Sequence, residues 1–325
     1  MRGKKLLGCF GGFTTLVVLV GLLLVWIYGP MLGAGTLGRP IFLVATPHRY
    51  ATFAFDLAEA QGLYSDSEEF RTARAEAEQK LPDANTLADT HPIIDDVLKA
   101  AGGKHSRVLP PEENQPSSLD NSAMPTVKRD GDIVRATVPE FSRGPIAQEY
   151  ADTLANGLAK EVPDSCGVIV DLRGNTGGDM GPMIAGLSSL LPDGTVMSFK
   201  GKEIQDVVVS GSSVSGGGTP ITVADSGKFS GPVAVLTDHR TASSGEAALL
   251  SFRGLDNARS FGEPTAGYPS GNIVIDMPDG AAILLTTSSD VARTGEEFAE
   301  DPIAPDVDTD QPVEEATEWL KQKCS

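Results

Sequence analysis

The sequence predicts an α/β protein, because two segments share one layout of apolar strand, tight turn and helix. The first is residues 168–178, VIVDLRGNTGG, and the second is residues 233–246, VAVLTDHRTASSGE. A short apolar run bounded by turn residues is typical of a buried strand. A helix that opens after such a strand carries unpaired backbone N–H groups, which stabilise negative charge.

The chain begins with a basic stretch followed by an apolar run. Residues 1–5 are a predicted cytoplasmic tail, and residues 6–28 carry no charge. A run of this length is enough to span a bilayer as a helix. The basic flank predicts a single-pass protein in the cell membrane, with its N-terminus cytoplasmic and the rest extracytoplasmic. Residues 29–48 are a predicted linker. Small residues at 33–35 leave a cleaved signal peptide as the alternative.

The charge of the chain restricts its partners. The formal net charge is −18. The part beyond the apolar run holds all 44 acidic residues and 23 of the 26 basic ones, which leaves it near −21. Such a surface repels nucleic acid and anionic lipid headgroups. We therefore expect no nucleic-acid partner, and a membrane contact only through residues 6–28.

Three further regions follow the linker. Residues 49–106 are a predicted helical region, in which Phe53 and Leu57 repeat at helical spacing. Residues 107–130 are rich in Pro, Ser and Asn and predict a loop, and residues 131–325 hold the core domain. The elements predicted within the core are a strand at 132–138, a helix at 147–158, a mobile surface loop at 210–218, a hairpin at 272–287 and a closing helix at 314–323.

The three cysteines do not suggest a metal site. No Cys/His spacing is typical of zinc, and neither external cysteine stands beside a base, so we expect no metal and no cofactor. Cys9 lies in the apolar run. In an oxidising compartment Cys166 and Cys324 could pair, and the sequence leaves that pairing open.

Three ordered motifs resemble the S41 serine peptidase family, which includes the C-terminal processing proteases, the tricorn core protease and the retinoid-binding repeats of the interphotoreceptor matrix. They are residues 171–178, 241–246 and 261–267, and shorter matches continue at 271–272, 279–280 and 303–306. The resemblance covers roughly residues 50–320. It implies a crotonase-like ββα spiral core after a small helical region. The interval 106–131 is too short for the PDZ domain of many processing proteases.

The resemblance implies that Ser243 is a nucleophile that forms an acyl-enzyme intermediate. The N–H groups of Ser244 and of Gly177 or Gly178 would form the oxyanion hole. Ser243 and Glu246 also fit a capping box, in which each side chain accepts an N–H at the start of a helix. The two roles are compatible.

The base is not the lysine of the processing proteases, because Tyr268 stands at that position. A phenol is a poor base at neutral pH, and histidine is the natural substitute. His105 matches the position of the catalytic histidine in tricorn-type relatives. His239 is the rival, although its four-residue separation from the nucleophile spans roughly 13 Å in an extended chain. A site without any working base is the third reading. His48 and His91 are predicted to be structural.

A carboxylate is expected to orient the base. Tricorn-like proteases supply a glutamate shortly before a Pro-Asp pair, and Glu300 lies one residue from the aligned position, ahead of Pro305-Asp306. A solvated acidic loop is the alternative interpretation of this segment.

These observations predict a membrane-anchored, extracytoplasmic serine endopeptidase that acts on polypeptides and has a possible homo-oligomeric state. The main alternative is a binding module on the same fold, in which the cleft holds an apolar ligand or a peptide without hydrolysis; loss of the lysine favours it. A hydrolase acting on small esters or amides is a third hypothesis.

Overall fold

The protein forms two compact units in a computed structural model that describes residues 4–114, 123–142 and 144–324. The first unit is Met1–Asn114 with Asn272–Thr286, and the second is Gln115–Gly271 with Thr287–Ser325. Residues 272–286 were expected in the core domain. They group with the helical region because their apolar side chains pack there, among them Ile275, Ile283 and Leu285.

The first unit is mainly helical. Its elements are α1 (Lys4–Leu37), α2 (Pro47–Gln61), α3 (Glu68–Lys80), α4 (His91–Gly102), β1 (Arg107–Leu109), most of β11 (Ser270–Asp276) and the first part of β12 (Ala282–Ala292). Thr46 starts α2, since its hydroxyl accepts the Arg49 N–H at 3.3 Å. Gly103 ends α4 with a φ of 75°. The segment predicted as a loop at 107–130 begins with strand β1, which pairs with β12 in an antiparallel ladder.

Helix α1 is longer than the predicted span. Its segment Thr15–Leu37 is long and apolar enough to cross a membrane, which by length and composition fits a membrane anchor or a signal sequence. The helix continues to Leu37 through Pro30, so the first part of the predicted linker at 29–48 is helical. Residues 31–37 carry no charge, and Gly29 and Gly33 let the chain at residues 39–41 pack directly against this end of the helix.

The second unit is built on a six-stranded sheet. In spatial order its strands are β14 (Val307–Asp308), β10 (Ala258–Gly262), β9 (Val233–Thr237), β4 (Gly167–Asp171), β3 (Ile133–Thr137) and β2 (Thr126–Asp130). All neighbouring pairs are parallel except β2 with β3. Strands β4 and β9 are adjacent, with Asp171 opposite Leu236, so the turns after them lie at one edge. The predicted α/β class is confirmed.

Helices and a second group of strands complete this unit. The helices are α5 (Ala147–Glu161), α6 (Met180–Gly186), α7 (Ser244–Leu250) and α8 (Pro312–Lys323), and the strands are β5 (Gly194–Lys200), β6 (Ile204–Ser210), β7 (Ser213–Ser215), β8 (Ile221–Thr222), the end of β12 and β13 (Glu297–Phe298). The segment predicted as a mobile loop at 210–218 contains β7. Val214 of this strand is buried in the main apolar core.

A disulfide joins Cys166 to Cys324, with their Cα atoms 5.5 Å apart. It connects the residue before β4 to the end of α8. The two cysteines are 158 residues apart, and closing a loop of that length restricts the unfolded chain. Native disulfides of this kind typically stabilise a domain by about 2–4 kcal/mol.

Candidate active site

Asp238 joins the turn after β9 to the turn after β4. Its Oδ1 accepts backbone N–H groups from Gly174, Arg240 and Thr241 at 2.9–3.0 Å. The Thr241 hydroxyl in turn donates to the Leu172 carbonyl at 3.0 Å. One short acidic side chain therefore fixes the spacing of the two turns.

Asn175 makes a second connection between the turns. It is fully buried, and its carbonyl oxygen accepts the Ala242 N–H at 2.9 Å. Its side-chain Oδ1 accepts the Gly177 N–H at 2.9 Å, and its Nδ2 donates to the Val138 carbonyl at 3.0 Å. Because all these partners are backbone groups, Asn175 holds the shape of the glycine turn as well as its position.

Ser243 has a backbone conformation that residues with a side chain rarely adopt, with φ 51° and ψ −116°. Such a conformation costs on the order of 1–3 kcal/mol and persists only where the surroundings enforce it. A serine on a strained turn between a buried strand and a helix is also the arrangement of a nucleophile elbow. The residue predicted as the nucleophile is thus a backbone outlier in the described chain.

Gly177 lies directly against Ser243. A Cβ atom on Gly177, which has a φ of 110°, would be 2.8 Å from the Ser243 Cβ and 3.2 Å from the Ser244 nitrogen. Only glycine fits so close an approach at this backbone angle. The structure therefore brings the predicted nucleophile and the glycine turn together.

Two backbone donors near Ser243 are suited to an oxyanion. The Gly177 carbonyl accepts the Phe141 N–H at 3.1 Å, and since a trans peptide points its two polar groups in opposite directions, the Gly178 N–H points away from Phe141. In residues 4–114, 123–142 and 144–324, neither this N–H nor that of Ser244 has an acceptor. The Ser244 hydroxyl donates to the Gly178 carbonyl at 2.7 Å, which ties the two turns together.

The third predicted donor, Gly177, is already engaged. Its N–H is bonded to the Asn175 side chain, as described above. This bond narrows the candidate oxyanion hole to Gly178 and Ser244.

Glu246 holds the nucleophile turn through four hydrogen bonds. Its Oε2 accepts the N–H groups of Ser243 at 2.7 Å and Tyr268 at 2.9 Å. Its Oε1 accepts the Thr265 hydroxyl at 2.5 Å and the Gly267 N–H at 2.9 Å. The side chain is fully buried. The glutamate half of the predicted capping box therefore does more than cap α7, because it also fixes residues 265–268.

Asp290 is a second buried carboxyl group in the same unit, 1% exposed, and its Oδ1 has no hydrogen-bond partner in the part of the chain that the structure describes. Burial, and then the charge of Glu246, raise the pKa of Asp290 well above its ordinary value. Burial also raises the pKa of Glu246, against the opposing effect of its hydrogen bonds. All four Glu246 contacts come from donors, as an ionised carboxylate requires. We conclude that Asp290 is the protonated member of the pair.

The other predicted residues of this unit have different surroundings. His239 is on the surface with its side chain 75% exposed, and its Nδ1 lies 2.7 Å from Glu263 Oε2. Glu300 is partly buried, and its carbonyl oxygen would lie 3.0 Å from a Cβ on Gly267. Tyr268 is partly buried, with its N–H held by Glu246.

His105 lies in the first unit, in the loop after α4. Its Nδ1 is 3.2 Å from Asn272 Nδ2, and the Thr286 hydroxyl donates to Asn272 Oδ1 at 2.6 Å. The neighbouring Ser106 is fully buried and accepts the Thr286 N–H at 2.9 Å. Burial, with smaller effects from Arg107 and Lys104, lowers the pKa of His105 to about 4. At neutral pH this imidazole is therefore uncharged.

Sequence reasoning did not assign functional roles to Asn175, Asn272 or Asp290, and gave Glu246 only a capping role. The two asparagines lie within the motifs quoted above, and that position could have marked them as candidate site residues. Asp290 had none, because its burial follows from strand pairing. Within the described ranges, no group of three or more His, Cys, Asp and Glu side chains could hold a metal ion.

The buried pair predicts how Asp290→Asn will behave. A folded-state pKa raised above the ordinary value, 3.8, contributes stability that is lost as the pH rises toward the folded-state pKa. The amide replaces the protonated carboxyl without titrating. As the pH rises through that window, we expect the free energy of unfolding of Asp290→Asn to increase relative to that of the wild type by up to about 1.4 kcal/mol per pH unit.

Urea unfolding of the full-length protein in detergent micelles, at a series of pH values, measures this difference. Asp206→Asn is the matched control, because Asp206 is an exposed aspartate in the same unit. Equal pH slopes for the wild type and Asp290→Asn would show that Asp290 is ionised in the folded protein.

Comparisons with known proteins show the family to which the chain is similar. Residues 135–309 match the model of Peptidase family S41. The nisin-resistance protein of Lactococcus lactis subsp. lactis is 34% identical over 288 residues, covering 87% of this chain and 90% of that protein. The carboxy-terminal processing protease CtpA of Bacillus subtilis (strain 168) is 27% identical over 196 residues, covering 58% of this chain and 40% of that protein.

Two solved structures are also similar to this chain. A lipoprotein from Streptococcus agalactiae aligns with a TM-score of 0.76 and 32% identity, over 87% of this chain and 99% of that one. The photosystem II D1 C-terminal processing protease shares the fold, with a TM-score of 0.55, 13% identity and coverage of 87% and 98%. The family model matches more than half of the chain, and the nisin-resistance protein is 34% identical over 87% of it. The chain therefore belongs to peptidase family S41.

Proposed function

We propose that this member of the S41 family is a membrane-anchored, extracytoplasmic serine endopeptidase with Ser243 as its nucleophile. The observation that supports this most is the strained Ser243 backbone beside two N–H groups, of Gly178 and Ser244, that lack acceptors in the described chain. Donors held in place before reaction stabilise an oxyanion without further reorganisation.

The proposed reaction follows the usual course of acyl transfer. The Ser243 Oγ attacks the carbonyl carbon of the peptide while its proton passes to His105, and the oxyanion binds to the Gly178 and Ser244 N–H groups. The tetrahedral intermediate collapses, and the amine leaves with the proton from His105. Water then hydrolyses the acyl-enzyme by the same steps.

His105 is the proposed base because it matches the position of the catalytic histidine in tricorn-type relatives, and its uncharged imidazole has a lone pair that can accept a proton. The exposed pairing of His239 with Glu263 supports a surface role for that histidine. The expectation that Glu300 orients the base rests on the family resemblance alone. The reaction requires His105, from the first unit, to reach Ser243 in the active protein.

The proposed substrate is a cationic peptide outside the cell, with nisin as the first candidate. The relative that shares 34% identity is described as a nisin-resistance protein, and the chain covers 90% of it. A net charge near −21 beyond residue 28, from 44 acidic and 23 basic residues, would attract basic peptides. With residues 6–28 in the membrane and residues 1–5 inside, the site would face outward.

A binding module is the second candidate, and Tyr268 at the lysine position favours it. A protein of this kind would keep the turns but show no activated serine.

The first test is labelling by a fluorophosphonate probe, which reacts with activated serine hydroxyls. We expect the full-length protein in detergent micelles to be labelled, and Ser243→Ala and His105→Ala to lose at least about a thousandfold in labelling rate. His239→Ala is the matched control and should react like the wild type. Absence of labelling in the wild type would support the binding module, and loss with His239→Ala alone would reassign the base.

The second test concerns the substrate. We expect the wild type to cleave nisin, and Ser243→Ala to leave it intact, as followed by mass spectrometry of the products. At low salt, a basic peptide should be cleaved faster than an acidic peptide of equal length, because the acidic surface raises the local concentration of cations. Intact nisin together with normal fluorophosphonate labelling would exclude nisin but leave the nucleophile in place.

The third test concerns pH. A general base must be neutral, so activity should fall only as the pH drops through about 4, the pKa of His105, and not near the ordinary value of 6.5. Lys104→Gln with Arg107→Gln should move this acidic limb upward, because both positive charges lower that pKa. The measurement is kcat/KM for a peptide against pH. A limb near pH 6.5 that the double variant leaves unmoved would contradict His105 as the base.

A further inference from the structure

The side chain of Asn272 meets the imidazole of His105. The contact joins Asn272 Nδ2 to His105 Nδ1 at 3.2 Å, and both residues belong to the first unit. The amide is held from its other end by the Thr286 hydroxyl at 2.6 Å from Oδ1. Thr286 is buried and is itself fixed through its N–H by Ser106. Two side chains, those of Thr286 and Asn272, thus lead from β12 to the imidazole.

The orientation of the amide decides which ring nitrogen carries the proton. An amide N–H donated to Nδ1 places the imidazole proton on Nε2, and such a ring cannot accept a proton there. The amide oxygen and nitrogen have the same shape, so the same heavy-atom positions accommodate the reversed orientation. In that state Nδ1–H donates to Oδ1, and Nδ2 donates to the Thr286 hydroxyl, which can accept as readily as donate.

We infer that Asn272 is the positioning residue of the catalytic base, and that its Oδ1 accepts the Nδ1–H of His105 so that the Nε2 lone pair is available to Ser243. The catalytic part of this inference rests on the proposed function. It assigns to Asn272 the orienting role that was first expected of Glu300. An asparagine can hold a histidine tautomer without adding charge, as in Cys-His-Asn sites. A neutral partner also suits a buried imidazole whose pKa is low.

Glycine makes this arrangement possible. A Cβ on Gly102, the last residue of α4, would lie 2.1 Å from the Ser106 Oγ and 2.9 Å from the Thr286 carbonyl oxygen. The absence of a side chain there lets the loop that carries His105 settle against β12. The geometry of the imidazole is therefore specified by close packing as well as by hydrogen bonds.

The test combines ¹⁵N NMR of histidine-labelled full-length protein with kinetics. The four histidines of the chain allow assignment by His105→Gln. We expect the wild-type His105 to be protonated at Nδ1, and Asn272→Leu to shift the proton to Nε2. In the kinetics, Asn272→Leu should lower kcat on the order of 10- to 100-fold with KM nearly unchanged. Asn272→Asp should keep the Nδ1 proton, retain most of the activity and move the acidic limb upward, because a carboxylate raises the histidine pKa.

Asn114→Leu is the matched control, since its amide bonds to Asp276 in the same unit and leaves the imidazole untouched. A wild-type proton on Nε2, or an unchanged tautomer in Asn272→Leu, would overturn the inference. So would unchanged kcat in a variant whose tautomer has shifted. The NMR result does not depend on turnover, so failure of the proposed function would be seen separately, as absent fluorophosphonate labelling of the wild type.

Discussion

The buried carboxylate of Glu246 is the interaction on which the candidate site depends most. It accepts three backbone N–H groups and one hydroxyl, and these donors come from the nucleophile turn and from residues 265–268. Removing a charge from water is costly unless hydrogen bonds replace its hydration, and here every acceptor position is occupied. The strain at Ser243 is sustained because these bonds would be lost if the turn relaxed.

A second constraint is that Glu246 carries the negative charge and the nearby Asp290 does not. Two ionised carboxylates buried in one unit would repel each other, so the proton resides on Asp290, whose Oδ1 has no hydrogen-bond partner in the described chain. Asn175 and Asp238 hold the neighbouring turn in a similar way, because their side chains accept backbone N–H groups. The positions of Ser243, Gly178 and Ser244 thus follow from a few side chains that accept backbone N–H groups.

Much of this could be predicted from the sequence, because the motifs record local requirements. The two strand–turn–helix segments gave the α/β class, and the three ordered motifs gave the family. The joint environment of residues far apart in the chain could not be predicted. Gly177 and Gly178 look alike in sequence, yet the Asn175 side chain engages only the first. Likewise, nothing local marks residues 272–286 as partners of the helical region, since that depends on which apolar faces meet.

By the family resemblance, Tyr268 stands at the lysine position of the processing proteases. Residue 268 donates its backbone N–H to Glu246 at 2.9 Å, and any residue but proline can supply that donor. The proposed base, His105, is held within its own unit, where Thr286 fixes the amide of Asn272 and Asn272 meets the ring. Each half of the proposed site is thus organised by hydrogen bonds of its own.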